Sequence, residues 1–179
     1  DHNGLSIYDV EKLSTHGGSL RVFAQRKDVH AKHLSERVAQ LINEENILGI
    51  KTLKYYADFQ PHVENIKNQF LNFLISAKEK GKKVAGYGAA AKGNTLLNFA
   101  GVRRDLVPYI VDKNLAKQGS YMPGSRIPIL SEENINENKP DYVIVFPWNL
   151  CNEVIYQLSY IRQWGGKFIW FIPEFKTSS

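Results

Sequence analysis

The sequence predicts an α/β protein with a doubly wound, mainly parallel sheet, preceded by an antiparallel β-hairpin and two helices. Three observations carry this. From residue 82 onward, short apolar runs alternate with helical patterns, as crossovers between parallel strands require. Gly86-x-Gly88-x-x-Ala91 stands where the first of those runs turns into a helix. Residues 5–10 and 20–25 alternate apolar with polar around a short connection containing Gly17-Gly18, the pattern of a half-buried hairpin.

Taken in order, the strands at 5–10 and 20–25 pair antiparallel, and because a lone pair is marginal in water they need a sheet to join. Over 30–48, Leu34, Val38, Leu41, Ile42 and Leu48 fall near one helical stripe, which Gly49 ends. Residues 50–59 are aromatic and Lys-rich, and read either as a loop or as the continuation of a helix. Over 61–80, Pro61 suits a first helical position, Val63, Ile66, Phe70, Phe73, Leu74 and Ala77 line one face, and Gly81 closes the end. Further strands are expected at 83–87, 107–111, 142–146 and 168–172. The run Tyr142–Phe146 is apolar throughout, as in a strand covered on both faces. Asn149 is placed as N-cap of a helix running to about Gln163, with Gly165-Gly166 beyond it. Pro173 stops sheet pairing after the last strand, and Glu174 receives no role. The connection 113–131, with Gly119, Pro123, Gly124 and Pro128, is a structured loop over the C-terminal strand ends, the edge at which open parallel sheets bind ligands.

The glycine turn sets the functional question. A strand delivers the chain to a turn with little side-chain bulk, so a ligand's phosphates can approach backbone N–H groups at the positive end of a helix. Lys92 adds positive charge beside that loop, and Asn94 and Thr95 add hydrogen-bonding groups. About 24 residues after Gly88 the next apolar run ends in Asp112, where a ribose hydroxyl would find its acceptor. The same residues have a plainer reading, in which the glycines let helix and strand pack closely and Asp112 caps a turn. Pro147-Trp148-Asn149 follows the third strand, where this Rossmann-like arrangement puts ligand contacts, but Trp148 also suits a core and Asn149 a helix cap. His16-Gly17-Gly18-Ser19-Leu20-Arg21 is either a close backbone approach to a ligand or a tight hairpin connection.

Composition bounds the rest. The 179 residues suffice for one medium domain, or one with an appendage. Hydrophobic residues make up 43%, enough for a real core, yet no apolar run reaches the roughly 20 residues a membrane span needs. Asp1-His2-Asn3-Gly4 is no signal peptide, and with Met absent at position 1 the chain reads as a piece of something longer. The single Cys151 excludes an internal disulfide and a cysteine-based zinc site, reads as a core thiol, and fits a cytoplasmic location. The net charge of +5 is mild and compatible with an anionic small molecule; lysines 78, 80, 82 and 83 suit a helix C-terminus, and nothing marks nucleic-acid binding. His30 and His33, three apart and without a third ligand, make a poor metal site, and His62 is expected to be exposed. No nucleophile with a base, metal set or acid pair argues for catalysis, so the residues point to a binding domain.

Read together, HGGSLR at 16–21, GYGAAAKGNTLLN at 86–98, IVDKNLAKQGSYMPGSRIPI at 110–129 and PWN at 147–149 resemble one family over nearly the whole chain. They are similar to the C-terminal part of the S-adenosylmethionine-dependent sugar C-methyltransferases, which act on nucleotide-linked deoxy-keto-sugars. The resemblance implies a zinc-binding segment and a methyltransferase domain upstream, with residues 1–28 as the terminal hairpin of that domain and 29–179 as a Rossmann-like C-terminal domain. It places the S-adenosylmethionine site and the Glu-His pair near the catalytic base outside this chain; His2 is not that histidine. It makes Gly86, Gly88, Lys92, Gly93, Asn94, Thr95, Asp112 and Lys117 candidate contacts to a nucleotide-diphosphate sugar, with Lys92 and the loop amides facing phosphate and Asp112 a hydroxyl. His16, Arg21, Trp148 and Asn149 join them as segments near the expected cleft. The implied reaction is methyl transfer to a carbon next to a ketone, which these residues alone are not expected to perform. Two other readings stay open: an NAD-type dinucleotide-binding domain of an oxidoreductase, and a non-catalytic interaction domain.

Overall fold

A computed structural model describes residues 2–29 and 32–178, in two compact units, Asp1–Gln60 and Pro61–Ser179. His30, half of the candidate pair with His33, lies outside the described residues.

In the first unit, strands β1 (Leu5–Leu13) and β2 (Ser19–Arg26) form the expected antiparallel hairpin, with a register shift between Ile7 and Asp9. Helix α1 (Glu36–Leu48) starts later than the periodicity suggests, because Ser35 caps it: its hydroxyl accepts from the Arg37 N–H at 3.2 Å. Gly49 ends it in the left-handed conformation, as expected. Residues 50–59 contain a short helix, α2 (Leu53–Ala57). The unit is tied by charge more than by a core. Arg37 reaches Asp9 through two nitrogens, and Val10 is the one buried apolar side chain among its described residues. The chain divides into its two compact units at Gln60/Pro61.

In the second unit, α3 (Phe59–Glu79) leads into β3 (Val84–Tyr87), α4 (Ala91–Ala100), β4 (Ile110–Val111) and β5 (Ile129–Leu130). The chain continues through α5 (Glu133–Asn138), β6 (Tyr142–Val145), α6 (Cys151–Gln157), β7 (Lys167–Trp170) and β8 (Lys176–Ser178). Pro61 is the third residue of α3 rather than the first, still within the turn whose N–H groups lack intrahelical partners. The sheet order is β5-β4-β3-β6-β7-β8, parallel except for β8. The expected strand at 107–111 shrinks to two residues, and its neighbour β5 and the terminal β8 escape the sequence reading. Pro173 does not end pairing, because the chain turns back and pairs Trp170 with Lys176. Successive residues alternate between two cores: Ile110, Ile144 and Ile169 pack with Phe70, Leu74 and Leu97, whereas Val111, Val143 and Phe168 pack with Val154, Leu158 and Ile161. Helices thus cover both faces of a Rossmann-like, doubly wound sheet.

Candidate functional site at the sheet's switch point

The strand order reverses between β3 and β6: the chain runs outward from β3 to β5 and then returns to the other side of β3. A crevice at the C-terminal ends of such a pair is the usual ligand position of this fold. The two ends are the turn 88–90 and the segment 146–149.

Here the glycines meet protein. Gly88 has φ 89°, and a Cβ on it would lie 2.5 Å from Pro147 Cδ. A Cβ on Gly86 would lie 2.6 Å from Phe146 Cε2, and one on Gly93 would lie 2.6 Å from Phe146 Cβ. The room left by missing side chains is occupied by Phe146 and Pro147, which lets β3, α4 and β6 close on one another. Lys92 spans the same junction: its Nζ donates to Asn149 Oδ1 at 2.9 Å and sits 4.2 Å from the centre of the Trp148 ring. Asn149 therefore does not cap the following helix. It lies in a 3₁₀ turn, Trp148–Leu150, and α6 begins at Cys151 with no side-chain cap.

On the other side of α4 the polar groups converge. Asp112 Oδ2 accepts from the Ala89 N–H at 2.8 Å and from Lys117 Nζ at 3.0 Å, while Oδ1 accepts from the Asn114 N–H at 2.8 Å. Lys117 Nζ also donates to the Ala89 carbonyl at 2.9 Å. The Asp112 side chain is 13% exposed and that of Lys117 39%, so the carboxylate is nearly enclosed while the ammonium still meets solvent. These bonds tie the glycine turn to the loop after β4. Between turn and loop lies a cavity of ≈ 410 Å³, lined by Ala89, Ala90, Ala91 and Asn94 on one side and by Lys117, Ser120 and Tyr121 on the other. Helix α4 opens onto it from Ala90, whose side chain makes no capping bond. Thr95 faces back along its own helix, its hydroxyl donating to the Ala91 carbonyl at 3.1 Å.

The structure therefore gathers Lys117, Asn94 and the 89–91 turn around one cavity and Lys92, Trp148 and Asn149 around a neighbouring contact. His16 and Arg21 belong to the hairpin unit. His16 has φ 57°, and Arg21 Nη1 donates to Glu11 Oε2 across the strands at 3.2 Å. Ser120 and Tyr121 are among the lining residues that sequence reasoning did not name; the glycines and prolines around them marked a structured loop but not which side chains turn inward. Burial pushes the Cys151 thiol up to about 11, the behaviour of a core thiol. Among the described residues no three of His, Cys, Asp or Glu cluster as a metal set. Among the described residues no helix is long and apolar enough to cross a membrane.

Residues 14–173 match the family described as the C-methyltransferase C-terminal domain. The chain belongs to that family. Over 175 residues it is 36% identical to "C-methyltransferase NovU" of Streptomyces niveus, an alignment that takes in 97% of this chain and 41% of the relative. The chain thus spans about two fifths of the length of that curated relative. Among solved structures it is similar to the UDP-D-quinovosamine 4-dehydrogenase of Vibrio fischeri, with 18% identity, a TM-score of 0.42, and coverage of 55% of this chain and 93% of that one.

Proposed function

We propose that this C-methyltransferase C-terminal domain holds a nucleotide-diphosphate sugar for an S-adenosylmethionine-dependent sugar C-methyltransferase of which it is one part. The observation that carries the reading is the ≈ 410 Å³ cavity between the start of α4 and the loop after β4, with Lys117 on its wall. Its size falls within the range of small-molecule sites, ≈ 300–1,000 Å³. A diphosphate there would meet the positive end of α4 and the Lys117 ammonium, both favourable to an anion. Asp112 acts by holding Lys117 and the Ala89 amide in place. With both its oxygens engaged, it is a positioning residue rather than a direct partner of a hydroxyl.

S-adenosylmethionine supplies the methyl group as an electrophile in such enzymes. The described residues give it no evident fit: Phe146 and Pro147 fill the space beside the glycines, and Asp112 is engaged within the protein. The same features weigh against an NAD-type site. In this reading the methyl donor and the base lie in the part of a longer chain beyond these residues, and the hairpin unit packs there as the end of a methyltransferase domain. The domain contributes binding energy and orientation far from the reacting carbon, which truncation would convert into lost turnover.

Calorimetric titration of the 179-residue chain with dTDP-glucose, NAD and S-adenosylmethionine tests this. Binding of the sugar nucleotide alone is expected. Heat from NAD would favour the oxidoreductase reading, and silence from all three the interaction-domain reading.

A further inference from the structure

The opposite, N-terminal edge of the parallel sheet carries a second groove, ≈ 760 Å³ in volume. Its walls come from the places where strands begin. Lys82 and Lys83 enter β3, Pro108 and Tyr109 precede β4, Pro128 precedes β5 and Pro140 precedes β6.

Four cationic side chains line it, Lys78, Lys82, Lys83 and Arg104, against the single carboxylate of Asp105. They are lightly committed. Lys82 Nζ lies 2.9 Å from Asp141 Oδ1, Lys78 Nζ 3.6 Å from Asp105 Oδ2, and Lys83 Nζ donates to the Asn138 carbonyl at 3.2 Å. Each ammonium has three donors, so each keeps capacity for a further acceptor, and exposed pairs of this kind exchange at little cost. Arg104 is exposed and has no ion pair among the described residues. The lining between these cations mixes apolar side chains, Val84 and Leu106 among them, with Tyr109, Asn134 and Asn138. Three prolines contribute fixed backbone without an N–H, and Tyr109 is held by its hydroxyl donating to the Asn134 carbonyl at 3.3 Å.

We propose that this groove docks an acidic, extended segment of a partner protein. The cations come from three separate segments, the end of α3, the entry to β3 and the connection before β4, so the positive charge is spread over several side chains rather than gathered on one loop. Charge distributed in this way complements a run of carboxylates better than one phosphate. The prolines offer no ladder donors at their positions, so the segment gains affinity from charge and apolar contact rather than by adding a strand. The groove shares Tyr121 with the cavity beside α4, but none of its four cations lines that cavity, so the proposal does not rest on the sugar-nucleotide reading.

The test is fluorescence anisotropy with a labelled peptide alternating Glu and Pro, and its Gln counterpart, added to the 179-residue chain. The Glu peptide is expected to bind and the Gln peptide not, with affinity falling several-fold as salt rises from about 50 to about 200 mM. Reversing two exposed charges of the groove, in K78E/R104E, is expected to weaken binding roughly tenfold. K113E, a single charge reversal on the loop after β4 at the other edge, is expected to leave it unchanged. Far-UV circular dichroism checks that each variant is folded, and the milder K78Q/R104Q carries the same prediction at smaller amplitude. The proposal is overturned if the Gln peptide binds equally, if K113E weakens binding as much as K78E/R104E, or if a single-stranded oligonucleotide displaces the peptide more readily than unlabelled peptide does.

Discussion

Asp112 illustrates how far a single residue could be read in advance. Its place at the end of a strand, after a glycine turn, was legible; its partners were not, because Lys117 and the Ala89 amide reach it only when loop and turn fold together. That triangle predicts that Lys117→Met weakens binding of dTDP-glucose by roughly tenfold, the order expected for losing a charge-assisted hydrogen bond at a partly exposed site. Calorimetry reads it, with Lys117→Arg retaining part of the affinity. Cys151 supplies a second prediction. Its thiol is raised from 9.0 to about 11 by burial, so the unfolded chain loses this proton first as pH rises. The stabilisation is complete below pH 9 and is lost as pH climbs through 11. Urea midpoints measured from pH 8 to 11 should fall more steeply in the natural chain than in Cys151→Ala. A thiol-specific disulfide reagent should react with Cys151 in urea and scarcely in buffer.

At the scale of elements, the glycine turn answers first to packing. β3, α4 and β6 approach closely because Gly86 and Gly93 leave room for the Phe146 ring. Gly93→Ala is expected to destabilise the chain by about 1–3 kcal/mol through overpacking. Phe146→Leu should recover part of that loss, a coupling that a double-mutant cycle in urea will measure. Absence of coupling would mean the helix shifts instead. Where elements were misjudged, length was the reason. β5 has two residues and β8 three, too short for any periodicity to register, and both form because neighbouring strands offer them a ladder. Asn149 carried a strong capping signal, but Lys92 claims its side-chain oxygen.

For the whole molecule, apolar burial is concentrated in residues 61–179, while Val10 alone is buried among the described residues of the first unit. Ordering a backbone costs about 1–2 kcal/mol per residue, and one buried valine returns about 1.5–3 kcal/mol. Residues 61–179 produced alone should therefore melt cooperatively and give the two-state unfolding curve of a folded domain. Residues 1–60 alone should show no cooperative transition by circular dichroism. A sharp transition in the short piece would show that its charged contacts, such as Arg37 with Asp9, suffice without a core.

The sequence by itself determined the alternation of strands and helices, the parallel sheet, the hairpin and the family, because these rest on local periodicity and on motifs contiguous in the chain. Only the tertiary structure decided that Phe146 and Pro147 occupy the glycine spaces, that Asp112 turns inward to Lys117, and that the open cavity lies beside the loop after β4. Those outcomes depend on segments distant in the chain, the glycine turn with Phe146 and Ala89 with Asp112, meeting in the same space and the same hydrogen bonds, and that meeting exists only once the sheet has brought them together.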